Sequence, residues 1–485
     1  MRSKHSFPKT GCTIVLAIDI LVFAGPSPAA AQNRNNKPPN IIFVFCDDLG
    51  FGDLGCYGSR ITRTPALDNM AREGLLFTNF SVASPVCSPS RVGVMTGQYP
   101  SRLSFHGHLA SLENNQQRGM PNYLDPDVAT LTKLLQSEGY VTGHFGKWHM
   151  GGPQDKSAPP PEAYGIDISG TVLSNGPHYN KEGDRRSESS MRIMQHTLDF
   201  IESNSEKPFF INCWLIDPHS VLAPSEEQLA EYPELQSTAR GFTSATQVYN
   251  AVITDVDKQI GKLLNKLNQL GLSENTLVIF SSDNGPAPIW GIDTNHSGTG
   301  SVGPLRGCKA SLYEGGIRVP FIVYWPGHTP AGKVDDNTII SAVDLLPTFC
   351  SLAGIKVSKK LKLDGEDMSQ ALLGNPTERT KPLMWEYRYE PWGLHIQKSP
   401  ALAMRDGDWK LLINPDGSRK ELYNLKENPC EVDNLANEYP LIVEQMSKQL
   451  LDWHLSLPNI EFIPANPGSF EYPWPEDNMS LKNPK

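Results

Sequence analysis

Ile41-Ile42-Phe43-Val44-Phe45 is an apolar run without alternation, and it stops at Asp47-Asp48. A strand with one wet face alternates apolar and polar residues, so this run predicts a strand covered on both faces. The pattern returns three times. Tyr140 to Phe145 leads into Gly146-Lys147-Trp148-His149, Phe209 to Ile216 into Asp217-Pro218-His219, and Thr276 to Ser281 into Ser282-Asp283-Asn284-Gly285. Helical signals lie between these runs. Thr64 can cap a helix that has Pro65 at its first position, Leu67, Met70 and Ala71 on one face and Gly74 closing it. Leu131, Leu134 and Leu135 mark a second helix, ended by Gly139, and Val248, Val252, Val256, Ile260, Leu263, Leu264 and Leu267 form the stripe of a long one. Alternating helices and buried strands predict an α/β sandwich with a large, mostly parallel central sheet flanked by helices. Polar residues gather just past the strands' carboxyl ends, the edge at which open α/β sheets bind ligands. Four separate stretches therefore point to one site.

The chain of 485 residues is long enough for a large core and a smaller one. The character changes near Gly374, which predicts a catalytic domain over 38–374 and a subdomain with its tail over 375–485. Leu402 to Arg405, a turn at Asp406-Gly407 and Trp409 to Ile413 read as a hairpin; Glu421 to Leu425 adds a strand, and Glu438 to Leu455 an amphipathic helix. The tail from Pro458 to Lys485 is expected to wrap the surface. Arg2, Lys4 and Lys9 precede the largely apolar Thr13 to Ala24, interrupted by Asp19, and Ala29-Ala30-Ala31 follows. Residues 1–31 thus read as a secretory signal peptide, too short for a stable membrane span and without a lipoprotein context at Cys12. Export beyond the cytoplasm is the consequence. Seven cysteines remain after Ala31, namely Cys46, Cys56, Cys87, Cys213, Cys308, Cys350 and Cys430, and their pairing is open. A net charge of −10 argues against a general nucleic-acid or polyanion binder, so an anionic substrate must be met by a local cationic pocket.

Leu75 to Phe80 reads as a strand leading into Ser84-Pro85-Val86-Cys87-Ser88-Pro89-Ser90-Arg91, followed by Val92 to Gly97. Pro89 suits a first helical turn and Gly97 a helix end, so Cys87 is expected at or just before a helix N-terminus, where an anion is favoured. Arg91, one turn later, can return its guanidinium to the same end. By itself Cys87 would read as a buried thiol. The whole string, Cys87, Pro89, Ser90 and Arg91 with Thr96-Gly97, resembles the maturation and active-site segment of type I sulfatases, and further family segments recur from about Pro39 to Glu431.

That resemblance implies an alkaline-phosphatase-like fold with a small C-terminal antiparallel sheet and helix. It also implies oxidation of Cys87 to Cα-formylglycine by a formylglycine-generating or anaerobic sulfatase-maturating enzyme. Asp47, Asp48, Asp283 and Asn284 offer only oxygen donors, which suit Ca²⁺ or Mg²⁺ rather than Zn²⁺; the corresponding residues of the family bind one Ca²⁺. The resemblance further implies that Arg91 holds the formylglycine hydrate, Lys147 contacts sulfate, His149 is a base, His219 the general acid and Lys309 the second lysine. Lys309 lies in Arg306-Gly307-Cys308-Lys309, with Cys308 where many relatives carry Gly. Lys147 and His149, two apart on an extended segment, are expected to point the same way.

The expected reaction is sulfate-ester hydrolysis, on a sulfated saccharide given the leader. His106, His108, Trp290, Asp293, His296, Arg388, Trp392 and His395 are candidate substrate contacts in loops. Two alternatives remain at this point. One is a phosphomonoesterase or phosphodiesterase of the same superfamily, which typically uses two metals, several His ligands and Asp-His where this chain has Asp283-Asn284. The other is a secreted glycan-binding protein with an unmodified site.

Overall fold

The apolar run becomes the middle of a sheet. In chain order the strands are β1 (Asn40–Cys46), β2 (Leu75–Phe77), β3 (Phe80–Ser81), β4 (Val141–Lys147), β5 (Ile168–Val172), β6 (Phe209–Trp214), β7 (Thr276–Ser282), β8 (Phe321–Tyr324), β9 (Lys333–Asp335), β10 (Ile340–Ser341), β11 (Leu383–Glu386), β12 (Leu402–Asp406), β13 (Trp409–Ile413) and β14 (Glu421–Asn424). The computed structural model describes residues 37–151, 155, 157–172, 186–238, 243–289, 296–389 and 397–458. Among these, eight strands form one sheet in the order β5-β4-β6-β1-β7-β8-β2-β9. β8 runs against both of its neighbours, and the rest run one way.

β1 lies between β6 and β7, with Ile42 opposite Ile211 on one side and Val278 on the other. Its side chains alternate between two cores, which is why the run shows no polar face. Ile41, Phe43 and Phe45 enter a core shared with the helices Cys87–Thr96, Leu131–Ser137 and Leu345–Leu352. Ile42, Val44 and Cys46 enter a second core with Pro65–Glu73, Ser189–Asn204 and Ala245–Gln269. The sandwich read from the pattern is thus the observed architecture, although the helices Ser189–Asn204 and Leu345–Leu352 were not foreseen.

Two local expectations change. Leu75 to Phe80 is not one strand: β2 stays in the large sheet, while β3 pairs with β10 in a separate ladder. At the break, Thr78 N–H donates to the Asp335 carbonyl at 3.0 Å, and Phe80 stacks on Phe321 with ring centroids 4.2 Å apart. Polar groups are satisfied outside the ladder and the chain turns toward the Cys87 helix. Thr64 occupies the N-cap position of Pro65–Glu73 but its side chain makes no capping bond. Instead Asp257, from the long helix, accepts from Ala66 N–H at 3.1 Å and Leu67 N–H at 2.8 Å. A carboxylate from another element does the work of the cap.

The hairpin β12–β13 forms as expected, with Asp406 opposite Trp409, and joins β11 and β14 in an antiparallel sheet of order β11-β12-β13-β14. The helix Pro440–Leu455 contributes Val443, Met446 and Leu450 to the core that also holds Phe43. Trp385 Nε1 donates to the Val82 carbonyl at 2.7 Å, just ahead of Cys87. The leader expected over 1–31 and the tail from residue 459 lie outside the described residues. Among the described residues all seven cysteines are free, and no helix is long and apolar enough to cross a membrane.

Lys410 on β13 is fully buried, 2.8 Å from Glu314 and 2.9 Å from Glu431. Removing one partner of a buried ion pair strands the others, at about 3–5 kcal/mol. Lys410→Met is therefore expected to lower the unfolding free energy by about that amount, read from urea titrations followed by tryptophan fluorescence; a midpoint equal to wild type would exclude a structural role for this cluster.

Candidate active site

β4, β6, β1 and β7 are adjacent and parallel, so their carboxyl ends open on one edge. Asp47 and Asp48 follow β1, Lys147 ends β4, Asp217 and His219 follow β6, and Asp283 and Asn284 follow β7. Gly146 makes the approach of Lys147 possible. At φ +108 a Cβ there would lie 1.8 Å from the Trp214 carbonyl oxygen, a contact only glycine avoids. Cys87 is the first residue of the helix Cys87–Thr96, with Val86 as N-cap, and Gly97 closes that helix in the left-handed region. Cys87 Sγ is 3.4 Å from Asp47 Oδ1 and 2% exposed. One ligand atom from each of Asp47, Asp48, Cys87 and His219 falls within 4.8 Å of the others.

The three carboxylates each meet a cation. Lys147 Nζ lies 2.5 Å from Asp47 Oδ2, Lys309 Nζ 2.7 Å from Asp48 Oδ1, and Arg91 Nη2 2.6 Å from Asp283 Oδ2. Burial alone would raise the Asp47 pKa, yet Lys147, His219 and Arg91 outweigh it and hold the carboxyl well below its ordinary value. Asp283 is pushed up to about 7 by burial and by the Asp47 charge. Burial and Asp47 push the Cys87 thiol up to about 12, so as encoded it is a protonated thiol and a poor nucleophile at neutral pH.

Asp47, Asp48, Asp283 and Asn284 meet the donor test for a hard divalent cation. Asn284 Nδ2 donates to Asp48 Oδ1 at 2.7 Å and to the Gly285 carbonyl at 2.9 Å, while Oδ1 is buried without a hydrogen-bond partner. A bare amide oxygen beside three carboxylates is an acceptor that such an ion satisfies.

The histidines present defined atoms. His149 Nε2 lies 3.3 Å from the Leu109 carbonyl, which can only accept, so Nε2 carries the hydrogen and the buried, unpartnered Nδ1 is the basic atom. Burial, then Lys147 and Arg91, hold this ring well below its ordinary pKa and so neutral. The strand ends at Lys147, and His149 takes φ +52, so the two do not share the extended segment read from their spacing. His219 Nδ1 donates to the Ser220 carbonyl at 2.9 Å, leaving Nε2 as the free nitrogen, 3.9 Å from Asp48 Oδ2. Burial lowers its pKa to about 4.

The loop residues separate. His108 is half-buried, and burial with the charges of Arg118, Lys309 and Lys147 lowers its pKa to about 3. His106 and Arg388 are closed off from solvent around Glu386: His106 Nδ1 is 2.7 Å from Oε2, and Arg388 Nε 3.0 Å from Oε1, an oxygen shared with His454. His296 is half-buried ahead of the single turn Ser297–Thr299. Trp290, Asp293, Trp392 and His395 lie outside the described residues.

A largely parallel sheet with a cation-rich, acid-lined edge around a helix N-terminus is an alkaline-phosphatase-like fold. Comparison with known proteins narrows the class. The family model described as Sulfatase matches residues 39–355, and the one described as N-sulphoglucosamine sulphohydrolase, C-terminal, matches residues 308–455. N-acetylgalactosamine-6-sulfatase of Canis lupus familiaris is 35% identical over 96% of this chain and 87% of its own length. Human arylsulfatase A is 31% identical over 79% of this chain and 76% of its own. The crystal structure of Ps i-CgsB in complex with k-i-k-neocarrahexaose superposes with a TM-score of 0.72 at 27% identity, covering 92% of this chain and 97% of the other. The chain belongs to the sulfatase family and is a sulfuric ester hydrolase.

Sequence reading missed Asp53, a buried acid without a local signature. It accepts from Tyr249 Oη at 2.6 Å, Gly50 N–H at 2.6 Å and Ser301 N–H at 2.7 Å, tying the loop after Asp48 to the segment before Lys309. Burial raises its pKa to about 7. Between about pH 4, the unfolded value, and pH 7 the folded chain keeps a proton that the unfolded chain has lost. Stability from this group is therefore full below about pH 4 and falls as pH rises through 7. Asp53→Asn is expected to flatten the pH dependence of the urea midpoint across that window; an unchanged slope would assign the dependence to other groups.

Proposed function

We propose that the protein removes O-sulfate groups from a carbohydrate, with Cα-formylglycine made from Cys87 as the nucleophile. The observation that carries this reading is the convergence of Cys87, Asp47, Asp48 and His219 within 4.8 Å. The carbohydrate part draws on the named activity of the canine relative and on the oligosaccharide named with Ps i-CgsB. Hydrated formylglycine supplies two hydroxyls, one to attack sulfur and one whose ionisation releases sulfate without a second attack at sulfur. A Ca²⁺ held by Asp47, Asp48, Asp283 and Asn284 supplies positive charge that favours an ionised hydroxyl at position 87.

The chain's own groups divide the remaining work. Lys147, Lys309 and Arg91 face the same edge and offset charge on the transferring sulfonate oxygens. Burial disfavours charge on Lys309, yet Asp48 keeps its ammonium above the ordinary range, so it stays cationic. His149 Nδ1, neutral and unpartnered, takes a proton from position 87. His219 Nε2 gives a proton to the leaving alcohol. At about 4 its pKa leaves it neutral in the substrate-free protein, and the negative charge of an arriving ester raises it toward the protonated form. His108 borders the site as a substrate contact. Residues 1–31 direct the chain out of the cytoplasm, to the periplasm or exterior of a bacterium or to the lysosome or exterior of a eukaryotic cell; 38–374 form the catalytic domain and 375–485 the C-terminal subdomain and tail.

Two measurements test the reading. Active protein is expected to show the Cys87 peptide about 18 Da lighter than the thiol form, and Cys87→Ala or Cys87→Ser is expected to lose essentially all turnover while unfolding at the wild-type urea midpoint. Normal turnover by Cys87→Ala would refute it. Chelation is expected to suppress hydrolysis and lower the melting temperature, with both restored by Ca²⁺; a melting temperature indifferent to chelator and Ca²⁺ would remove the cation from the site.

A further inference from the structure

We infer that Arg118 is a specificity-determining residue of this site, receiving a second anionic group, a carboxylate or another sulfate, on the saccharide whose O-sulfate is cleaved. The inference rests on the carbohydrate-sulfatase reading above. Arg118 follows the short helix Leu112–Gln117, and its guanidinium lies over the Tyr389 ring, 4.5 Å from the centroid. Its Nη1 is buried without a hydrogen-bond partner, and among the described residues no carboxylate pairs with it. The other cations differ: Arg91, Lys147 and Lys309 each have an aspartate of the centre. Arg118 is half-buried, and a guanidinium nitrogen closed off from water without an acid carries a cost that stacking on an aromatic face offsets only in part. In a chain of net charge −10, a cation left this way marks a place for an arriving anion.

Its position relative to the centre follows from the segment 107–109. A Cβ on Gly107 would lie 2.3 Å from Tyr389 Cε2, so Tyr389 lies against that backbone. Two residues on, Leu109 N–H donates to Ser88 Oγ at 2.9 Å and its carbonyl accepts from His149. His108, between them, feels the charges of Arg118, Lys309 and Lys147 together. Arg118 is thus joined to the Cys87 helix and His149 through Tyr389 and the segment 107–109.

The test uses the full chain with Cys87 converted. The substrates are 4-nitrophenyl sulfate, a panel of hexosamine monosulfates, the matching disulfates, and disaccharides joining a monosulfated hexosamine to glucuronate. The wild type is expected to have its highest kcat/KM on a doubly charged member. Arg118→Gln is expected to raise KM for that member about ten-fold or more with kcat within about two-fold, and to leave 4-nitrophenyl sulfate within about two-fold. Arg118→Lys is expected to retain part of the preference. A KM effect confined to disulfates identifies sulfate as the second group, and one confined to uronates identifies carboxylate. Equal effects on singly and doubly charged substrates, from Arg118→Gln or from Arg118→Lys if the former melts early, overturn the inference, as does no effect at all. Wild-type turnover of the aryl ester without preference for a second charge overturns it alone; a converted enzyme that hydrolyses no sulfate ester overturns the underlying reading.

Discussion

Asp47, Asp48 and Asp283 bring three carboxylates into a space almost without solvent, and the neighbourhood is arranged to make that tolerable. Each meets a cation from a different part of the chain: Lys147 from β4, Lys309 from the loop before Glu314, and Arg91 from the Cys87 helix. A buried charge costs several kcal/mol unless it is paired and hydrogen-bonded. The carboxyl ends of β1, β4 and β7 and the helix start must therefore converge together, because no pair is complete without another element. The same convergence sets three cations at one edge beside the start of the Cys87 helix.

Arg91 shows how that arrangement is kept rigid. Its guanidinium lies against Phe45 and Trp214, with the carbon 5.6 Å and 5.1 Å from the ring centroids, and Nη1 donates to the Lys147 carbonyl at 3.1 Å. His144 packs edge-on between Trp148 and Trp214, held neutral by burial and by Arg91. A neutral ring there adds no competing charge behind the guanidinium. The small antiparallel sheet brings Trp385 to the Val82 carbonyl, ahead of the helix. Arg91 thus holds the Cys87 helix, and Trp385 holds the segment that leads into it.

Much of this was legible in the chain. Unbroken apolar runs report strands covered on both faces, because the pleat period is two residues whatever the partner strand is. The polar residues closing those runs are local too, so Asp47, Asp48, Lys147, His149, His219, Asp283 and Asn284 could be gathered on one edge without coordinates. In the Cys87 string, turn and helix chemistry gave the helix start, and resemblance to the sulfatase maturation segment gave the rest.

Tertiary structure decided everything whose partner is distant in the chain. Loop position and side-chain type put His106 and Arg388 among substrate contacts, but Glu386, 280 residues from His106 and 68 from His454, gathers them into a buried cluster. Thr64 had the composition of a cap, and Asp257 supplied one instead. Asp53 and Arg118 have no motif at all. One owes its character to Tyr249 and Ser301, the other to Tyr389 and to the lack of an acid among the described residues, and such environments exist only once the chain has folded. Local periodicity and turn chemistry are encoded over a few residues and can be read from order alone; burial, pairing and proton affinity are set by which groups come together across hundreds, and only three-dimensional packing settles them.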